Sequence, residues 1–189
     1  MKIYETKLSG VIIIEPNIYG DSRGFFLETF QQIKYQDIGI HKPFVQDNVS
    51  RSSKGVLRGL HFQLEKPQAK LVSVFRGTVF DVVVDIRVGS PTFGEWIGVE
   101  LSDHNHHQLF IPEGFAHGFE VLSEEADFFY KCTDYYHPAS EFGVHWNDPT
   151  IGIQWQTAMP VLSAKDDVYP LLSQIPMHQL PKYTLLTGK

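Results

Sequence analysis

The chain has 189 residues, one cysteine and a formal net charge of -6. That length accommodates one large domain, or a domain with arms. The acidic balance argues against a nucleic-acid partner held by phosphate neutralisation, and the lone Cys132 excludes an intrachain disulfide.

A hydrophobic fraction of 42% is ordinary for a globular protein, while 13% aromatics, with 14 Phe and 8 Tyr, favour β-structure and a ring-lined pocket. Charge interrupts the N-terminus before any long apolar run, so no signal peptide is expected. The run Val11–Ile14 is too short to span a bilayer, and a cytoplasmic protein with no membrane partner is expected.

In chain order, Val11–Ile14 reads as a strand closed by Pro16. Gly20–Gly24 is a turn, and Phe25–Phe30 resumes as a strand. Gln31–Ile38 is a short helix stopped by Gly39. Phe44–Val49, Val56–Gln63 and Leu71–Phe75 are strand-like. Arg76-Gly77 turns into Thr78–Arg87, where Phe80, Val82, Val84 and Ile86 alternate with Asp81, Val83, Asp85 and Arg87. Further short strands are expected at Trp96–Leu101, Gln108–Ile111, Gly118–Leu122, Phe128–Tyr130 and Val144–Trp146. The segment after Leu162 looks helical and then becomes a tail interrupted by Pro176 and Pro181. Many short strands between Gly, Pro, Asn and Asp turns indicate an all-β chain, a double-sheet jelly roll or barrel with few, peripheral helices. No internal repeat or linker divides it, so residues 1–189 are expected to form one domain with an N-terminal strand arm.

Four residue types stand where a barrel interior could collect them: His61 in Leu57–Gln63, Lys70 at the head of the next apolar run, Tyr130 after two phenylalanines, and Asp166 in Lys165-Asp166. A base, a cation, a phenol and a carboxylate suit proton transfer on a carbon acid, with imidazole as the natural base near neutral pH. Each has a plainer alternative. His61 could be a satisfied core histidine, Lys70 a solvated strand end, Tyr130 a core aromatic, and Asp166 a helix cap after Ser163. Arg58 and His61 are an odd offset apart and would face opposite ways on a regular strand. Gly59 between them permits a bulge that turns both inward.

Gly55 followed by His61-Phe62-Gln63, with Gly77 closing the next strand, resembles the first cupin motif. Pro112–His117 resembles the second. Metal-binding cupins carry a second histidine where this chain has Gln63, and Lys70 would repel a metal. No metal is therefore expected, although His61 and His117 keep a minor zinc alternative open. The tract His104–His107 reads as a solvated turn.

A closer resemblance rests on Gly20-Asp21-x-Arg23-Gly24-Phe25-Phe26, Phe44–Asn48, Val56–Gln63, Lys70-Leu71-Val72, Val82–Arg87, Ile111–Phe119, Tyr130-Lys131 and Leu162–Asp166. Together these resemble the dTDP-4-dehydrorhamnose 3,5-epimerases. The resemblance implies a metal-free, cofactor-independent isomerase that inverts C3 and C5 of dTDP-4-dehydro-6-deoxy-D-glucose. It implies His61 as base, Asp166 orienting it, Tyr130 as the opposite-face acid, and Lys70, with Arg58, steadying the enolate. Arg23, Glu28, Gln46, Asn48, His117, Glu141 and Lys165 match substrate-binding positions, and Phe26 and Tyr136 are candidates to stack on the base. It also implies a homodimer in which the N-terminal strand region of one subunit contributes to its partner. Inversion at C3 alone, a metal-dependent oxygenase, and a non-catalytic nucleotide-sugar binder are the competing readings.

Overall fold

The computed structural model describes residues 1–184 and contains thirteen strands and one short α-helix. In chain order these are β1 (Lys2–Glu5), β2 (Ile12–Glu15), β3 (Ile18–Asp21), β4 (Gly24–Leu27), α1 (Gln32–Gln36), β5 (Gln46–Ser53), β6 (Leu57–Gln63), β7 (Lys70–Arg76), β8 (Thr78–Asp85), β9 (Trp96–Ser102), β10 (Gln108–Ile111), β11 (Phe115–Val121), β12 (Glu125–Cys132) and β13 (Glu141–Gly143). They form a six-stranded sheet, β1-β2-β10-β7-β12-β5, a five-stranded sheet, β13-β6-β11-β8-β9, and a separate β3–β4 hairpin. Every pair of these strands is antiparallel. This is the expected jelly roll.

The main core lies between the two large sheets, where Val72, Val74 and Phe128 meet Val79, Val83, Phe115 and Phe119. Phe119 and Phe128 stack with centroids 4.0 Å apart. The alternation in β8 sorts its side chains between two cores rather than between core and solvent. Val79 and Val83 face the inter-sheet core, while Val82 and Val84 belong to a second cluster with Ile151, Ile153, Leu172, Ile175 and Leu180. The C-terminal tail therefore covers the outer face of the five-stranded sheet. Each fully buried Val or Leu there contributes roughly 1.5–3 kcal/mol. A third cluster, with Ile14, Tyr35, Ile40 and Leu71, seats α1 on the other sheet.

α1 starts where the Gln31 side chain accepts a 2.7 Å hydrogen bond from the Lys34 backbone N–H, and Gly39 follows it at a φ of +92°. Two expected elements differ. Val144–Trp146 is not a strand; β13 precedes it, and only Val144 continues the pairing, by hydrogen bonds with Leu60. The segment after Leu162 is not an α-helix but a run of three short 3-10 turns, Asp166–Val168 ahead of Pro170, Leu172–Gln174 and Met177–Gln179. A proline there removes a donor and restrains the residue before it, so no longer helix propagates. β1 starts ahead of the Val11–Ile14 run, and its charged residues mask the strand pattern; Lys2 pairs across the strands with Glu15 at 2.7 Å.

The bulge at Gly59 does form. His61 pairs with His117 and Arg58 with Phe119, so three steps on β6 match two on β11. Gly59 has a φ of +127°, and a Cβ there would lie 2.6 Å from the Gly118 Cα. Only glycine fits such a close crossing of two strands. The extra residue brings Arg58 and His61 to the same cavity.

Candidate active site

A cavity of about 770 Å³ opens between the sheets. Its wall carries Arg58 and His61 from β6, Lys70 from β7, His117 from β11 and Tyr130 from β12, with Lys165 and Asp166 from the 3-10 turn region. His61 and Tyr130 thus stand on facing sheets.

His61 Nε2 lies 2.6 Å from Asp166 Oδ1. Asp166 is 3% exposed. Burial pushes its carboxyl upward, but hydrogen bonds from His61, Ser163 and the Gly59 backbone outweigh this and hold it below the usual aspartate value. Its backbone N–H also donates to Ser163 Oγ at 3.1 Å, so the capping contact and the contact to His61 coexist. The neighbouring Asp167 is exposed, which separates the two carboxylates.

The Lys70 Nζ sits 5.7 Å from the centroid of the Tyr130 ring. Burial pushes the Lys70 ammonium down and the Tyr130 phenol up. The second shift keeps Tyr130 in its proton-bearing form well above neutral pH. Arg58 Nε donates to Ser52 Oγ at 3.0 Å. His117 Nε2 contacts both carboxylate oxygens of Asp81, at 3.0 and 2.9 Å.

The mouth of the cavity is polar. Gln46 Nε2 donates to Asn48 Oδ1 at 3.0 Å, and the Tyr136 backbone N–H donates to Gln46 Oε1 at 2.8 Å. Glu141 Oε2 accepts from the Tyr136 hydroxyl at 2.9 Å and from Lys165 Nζ at 2.8 Å. Burial raises the Glu141 carboxyl, yet these two donors leave it below its ordinary value. Gln63 is committed elsewhere: its amide donates to the backbone of Lys66 and Tyr135 and accepts from His137. Its role is to hold the loop after β12.

A family model described as dTDP-4-dehydrorhamnose 3,5-epimerase matches residues 5–174. The chain belongs to that family. A dTDP-4-dehydrorhamnose 3,5-epimerase of Methanothermobacter thermautotrophicus is 53% identical over 94% of this chain and 97% of its own length. The crystal structure of a dTDP-6-deoxy-D-glucose-3,5-epimerase from Legionella pneumophila, in complex with dTDP-4-keto-L-rhamnose, superposes with a TM-score of 0.95 at 57% identity, covering 97% of this chain and 98% of the other. A dTDP-4-dehydrorhamnose 3-epimerase of Streptomyces niveus is 42% identical over 92% of this chain and 85% of its own. This chain, like the rest of the epimerase family, is an isomerase by descent.

Ten of the twelve residues expected in the epimerase site line one cavity: His61, Tyr130, Asp166, Lys70, Gln46, Asn48, Arg58, His117, Glu141 and Lys165. Arg23 and Glu28 do not join them. Arg23 is at the tip of the β3–β4 hairpin, its side chain 87% exposed and paired with Asp21, and Glu28 just beyond that hairpin pairs with Lys34. Two residues beside the site carried no local signal. Asp81 looked like one member of an alternating strand. Tyr169 meets the His61 ring edge-on with centroids 5.8 Å apart, and burial pushes its hydroxyl up to about 12. Among the described residues no helix is long and apolar enough to cross a membrane.

Proposed function

We propose that this chain is a cytoplasmic enzyme that binds dTDP-4-dehydro-6-deoxy-D-glucose and inverts C3 and C5 to give dTDP-4-dehydro-L-rhamnose. The observation that carries this reading is the placement of His61 and Tyr130 on facing sheets of one cavity. A sugar ring lying between the sheets has a base on one side and an acid on the other.

The C4 ketone acidifies the hydrogens on C3 and C5. His61 removes one, and Asp166 orients the ring and stabilises the imidazolium that forms. The electron pair moves to the C4 oxygen, where Lys70 and Arg58 offset the developing charge. Tyr130 then delivers a proton to the opposite face, and inversion results. Exchange with solvent then takes the proton from His61 and returns one to Tyr130, and repeating the cycle at the second carbon completes the reaction. The polar mouth, with Gln46, Asn48, Glu141 and Lys165, suits the nucleotide, and His117, on the inner wall, suits the adjoining sugar hydroxyls. Tyr136 offers the base an aromatic face. These residues suffice for the steps written here without a cofactor.

The hairpin explains Arg23 and Glu28. Ile18, Tyr19, Phe25 and Phe26 are 44%, 62%, 61% and 67% exposed, an apolar surface uncommon on a strand arm with no partner. In a homodimer that surface packs on a second subunit and carries Arg23 to the diphosphate end of the partner's cavity. Arg23→Ala should then raise the dTDP dissociation constant about tenfold to a hundredfold, the loss expected for a charge-assisted contact. The kcat at saturating substrate should stay near the wild-type value. Calorimetry and sedimentation check both parts: unchanged dTDP affinity, or a monomer that binds dTDP normally, contradicts the assignment. The reaction itself is tested by following the sugar by NMR, with the L-rhamno product expected and unconverted substrate the contrary result.

A further inference from the structure

His61 is fixed at two atoms, which leaves its ring one freedom. The backbone of β6 sets the Cβ, and Asp166 holds Nε2 at 2.6 Å. The ring can still turn about the line from Cβ to Nε2. That turn bears on the chemistry, because Nε2 is committed to Asp166 and Nδ1 is the nitrogen left to take a proton. A base that swings its free nitrogen away from the reacting carbon loses the geometry on which proton transfer depends.

Tyr169 stands beside the ring. The two centroids are 5.8 Å apart and the planes cross at 72°, within the range of a favourable edge-to-face pair. The local sequence delivers it there. Asp166–Val168 is a 3-10 turn, in which side chains three residues apart lie one above the other. Asp166 and Tyr169 are that far apart. One turn thus brings a carboxylate to one nitrogen of His61 and an aromatic ring to the side of the same imidazole. Pro170 follows, and its carbonyl accepts from the His145 backbone N–H at 2.8 Å, which pins the end of the turn.

β13 gives the ring its space. Gly143 is the residue directly across from His61 in the sheet, and side chains at such paired positions share one face. A Cβ at Gly143 would lie 2.5 Å from both Cδ2 and Cζ of the Tyr169 ring. Gly143 lies in a strand and has no positive φ, so its backbone does not require glycine; the ring does. Tyr169 is outside the wall of the large cavity and lines a separate hollow of about 230 Å³ with Phe142 and Gly143. It acts through His61 rather than on the sugar.

We propose that Tyr169 is a positioning residue of the reaction: its ring, admitted by Gly143, blocks rotation of His61 about the Cβ–Nε2 line and keeps Nδ1 aimed at the sugar. The ring performs this role and the hydroxyl does not. Burial pushes the hydroxyl up to about 12, so it carries no charge near neutral pH. This inference rests on the epimerase reading, because it assigns proton abstraction to His61.

The test is the rate of solvent-deuterium exchange into dTDP-4-dehydro-6-deoxy-D-glucose, with KM and dTDP affinity measured alongside. Tyr169→Ala should lower kcat for exchange roughly tenfold to a hundredfold, the loss expected when a reacting group is displaced by about 1 Å. KM and dTDP affinity should stay near the wild-type values, because Lys165 keeps its contact with Glu141 at the nucleotide end. Tyr169→Phe keeps the ring and should exchange as the wild type does. Gly143→Ala leaves Tyr169 in the chain but displaces its ring, and should show the same loss as Tyr169→Ala. The double variant should be no slower than either single one, since both remove one contact. If Tyr169→Ala does not fold, Gly143→Ala and Tyr169→Phe carry the test between them. Folded Tyr169→Ala or Gly143→Ala protein that exchanges at the wild-type rate overturns the proposal. So do losses that multiply in the double variant, or a Tyr169→Phe protein as slow as Tyr169→Ala. Wild-type protein that binds dTDP and shows no exchange defeats the epimerase reading, and the proposal with it.

Discussion

His61→Ala is expected to stop solvent exchange at both C3 and C5 while leaving dTDP binding largely intact. The same imidazole faces one side of the ring and serves both carbons in turn, so no second base remains. Its position is over-determined: Asp166 holds one nitrogen at 2.6 Å, the Gly59 bulge aims the strand, and the Tyr169 ring stands edge-on beside it. The nucleotide end of the cavity is built from other elements, which is why affinity for dTDP should survive. General-base catalysis typically contributes about 10²–10⁴-fold, and exchange should fall by at least that range. Mass spectrometry of the recovered sugar in deuterated water checks it. Substantial exchange from a folded His61→Ala protein would remove His61 from the role of base.

Tyr130→Phe should separate deprotonation from inversion. The change keeps the ring, which packs against the inter-sheet core near Phe128, and removes only the hydroxyl. His61 still takes a proton and returns one to the same face. Deuterium therefore enters the sugar with retained configuration, while inverted product falls about 10²–10⁴-fold. Inverted sugar at a near wild-type rate would make Tyr130 a packing residue with the donor elsewhere. Loss of exchange together with inversion would place Tyr130 earlier, at the enolate.

Much of this site was legible because its signals are local. The odd offset of Arg58 and His61 across Gly59 asks for a bulge, and β6 supplies it. Gly39 stops α1 where a positive φ is needed. Lys165-Asp166 singled out Asp166 through resemblance, and burial separates it from the exposed Asp167. The rest depends on long-range pairing. Asp81 gains its meaning only from His117, 36 residues away, and nothing in Phe80-Asp81-Val82 marks it. The C-terminal tail has no period of its own, because its apolar residues are spaced to cover a sheet rather than to form an element. Arg23 and Glu28 match by resemblance, yet one chain leaves them in solvent, since the hairpin's apolar side chains stay largely exposed, with the Phe25 ring resting on His106 at 4.7 Å.

The central claim is two-carbon inversion by proton transfer across one cavity. The most direct measurement incubates the wild-type protein with dTDP-4-dehydro-6-deoxy-D-glucose in deuterated water, counts incorporated deuterons by mass spectrometry and locates them by NMR. The account predicts one deuteron at C3 and one at C5, both centres inverted. A single deuteron at inverted C3 would make this chain a 3-epimerase, and a folded, dTDP-binding protein that incorporates none would contradict the account.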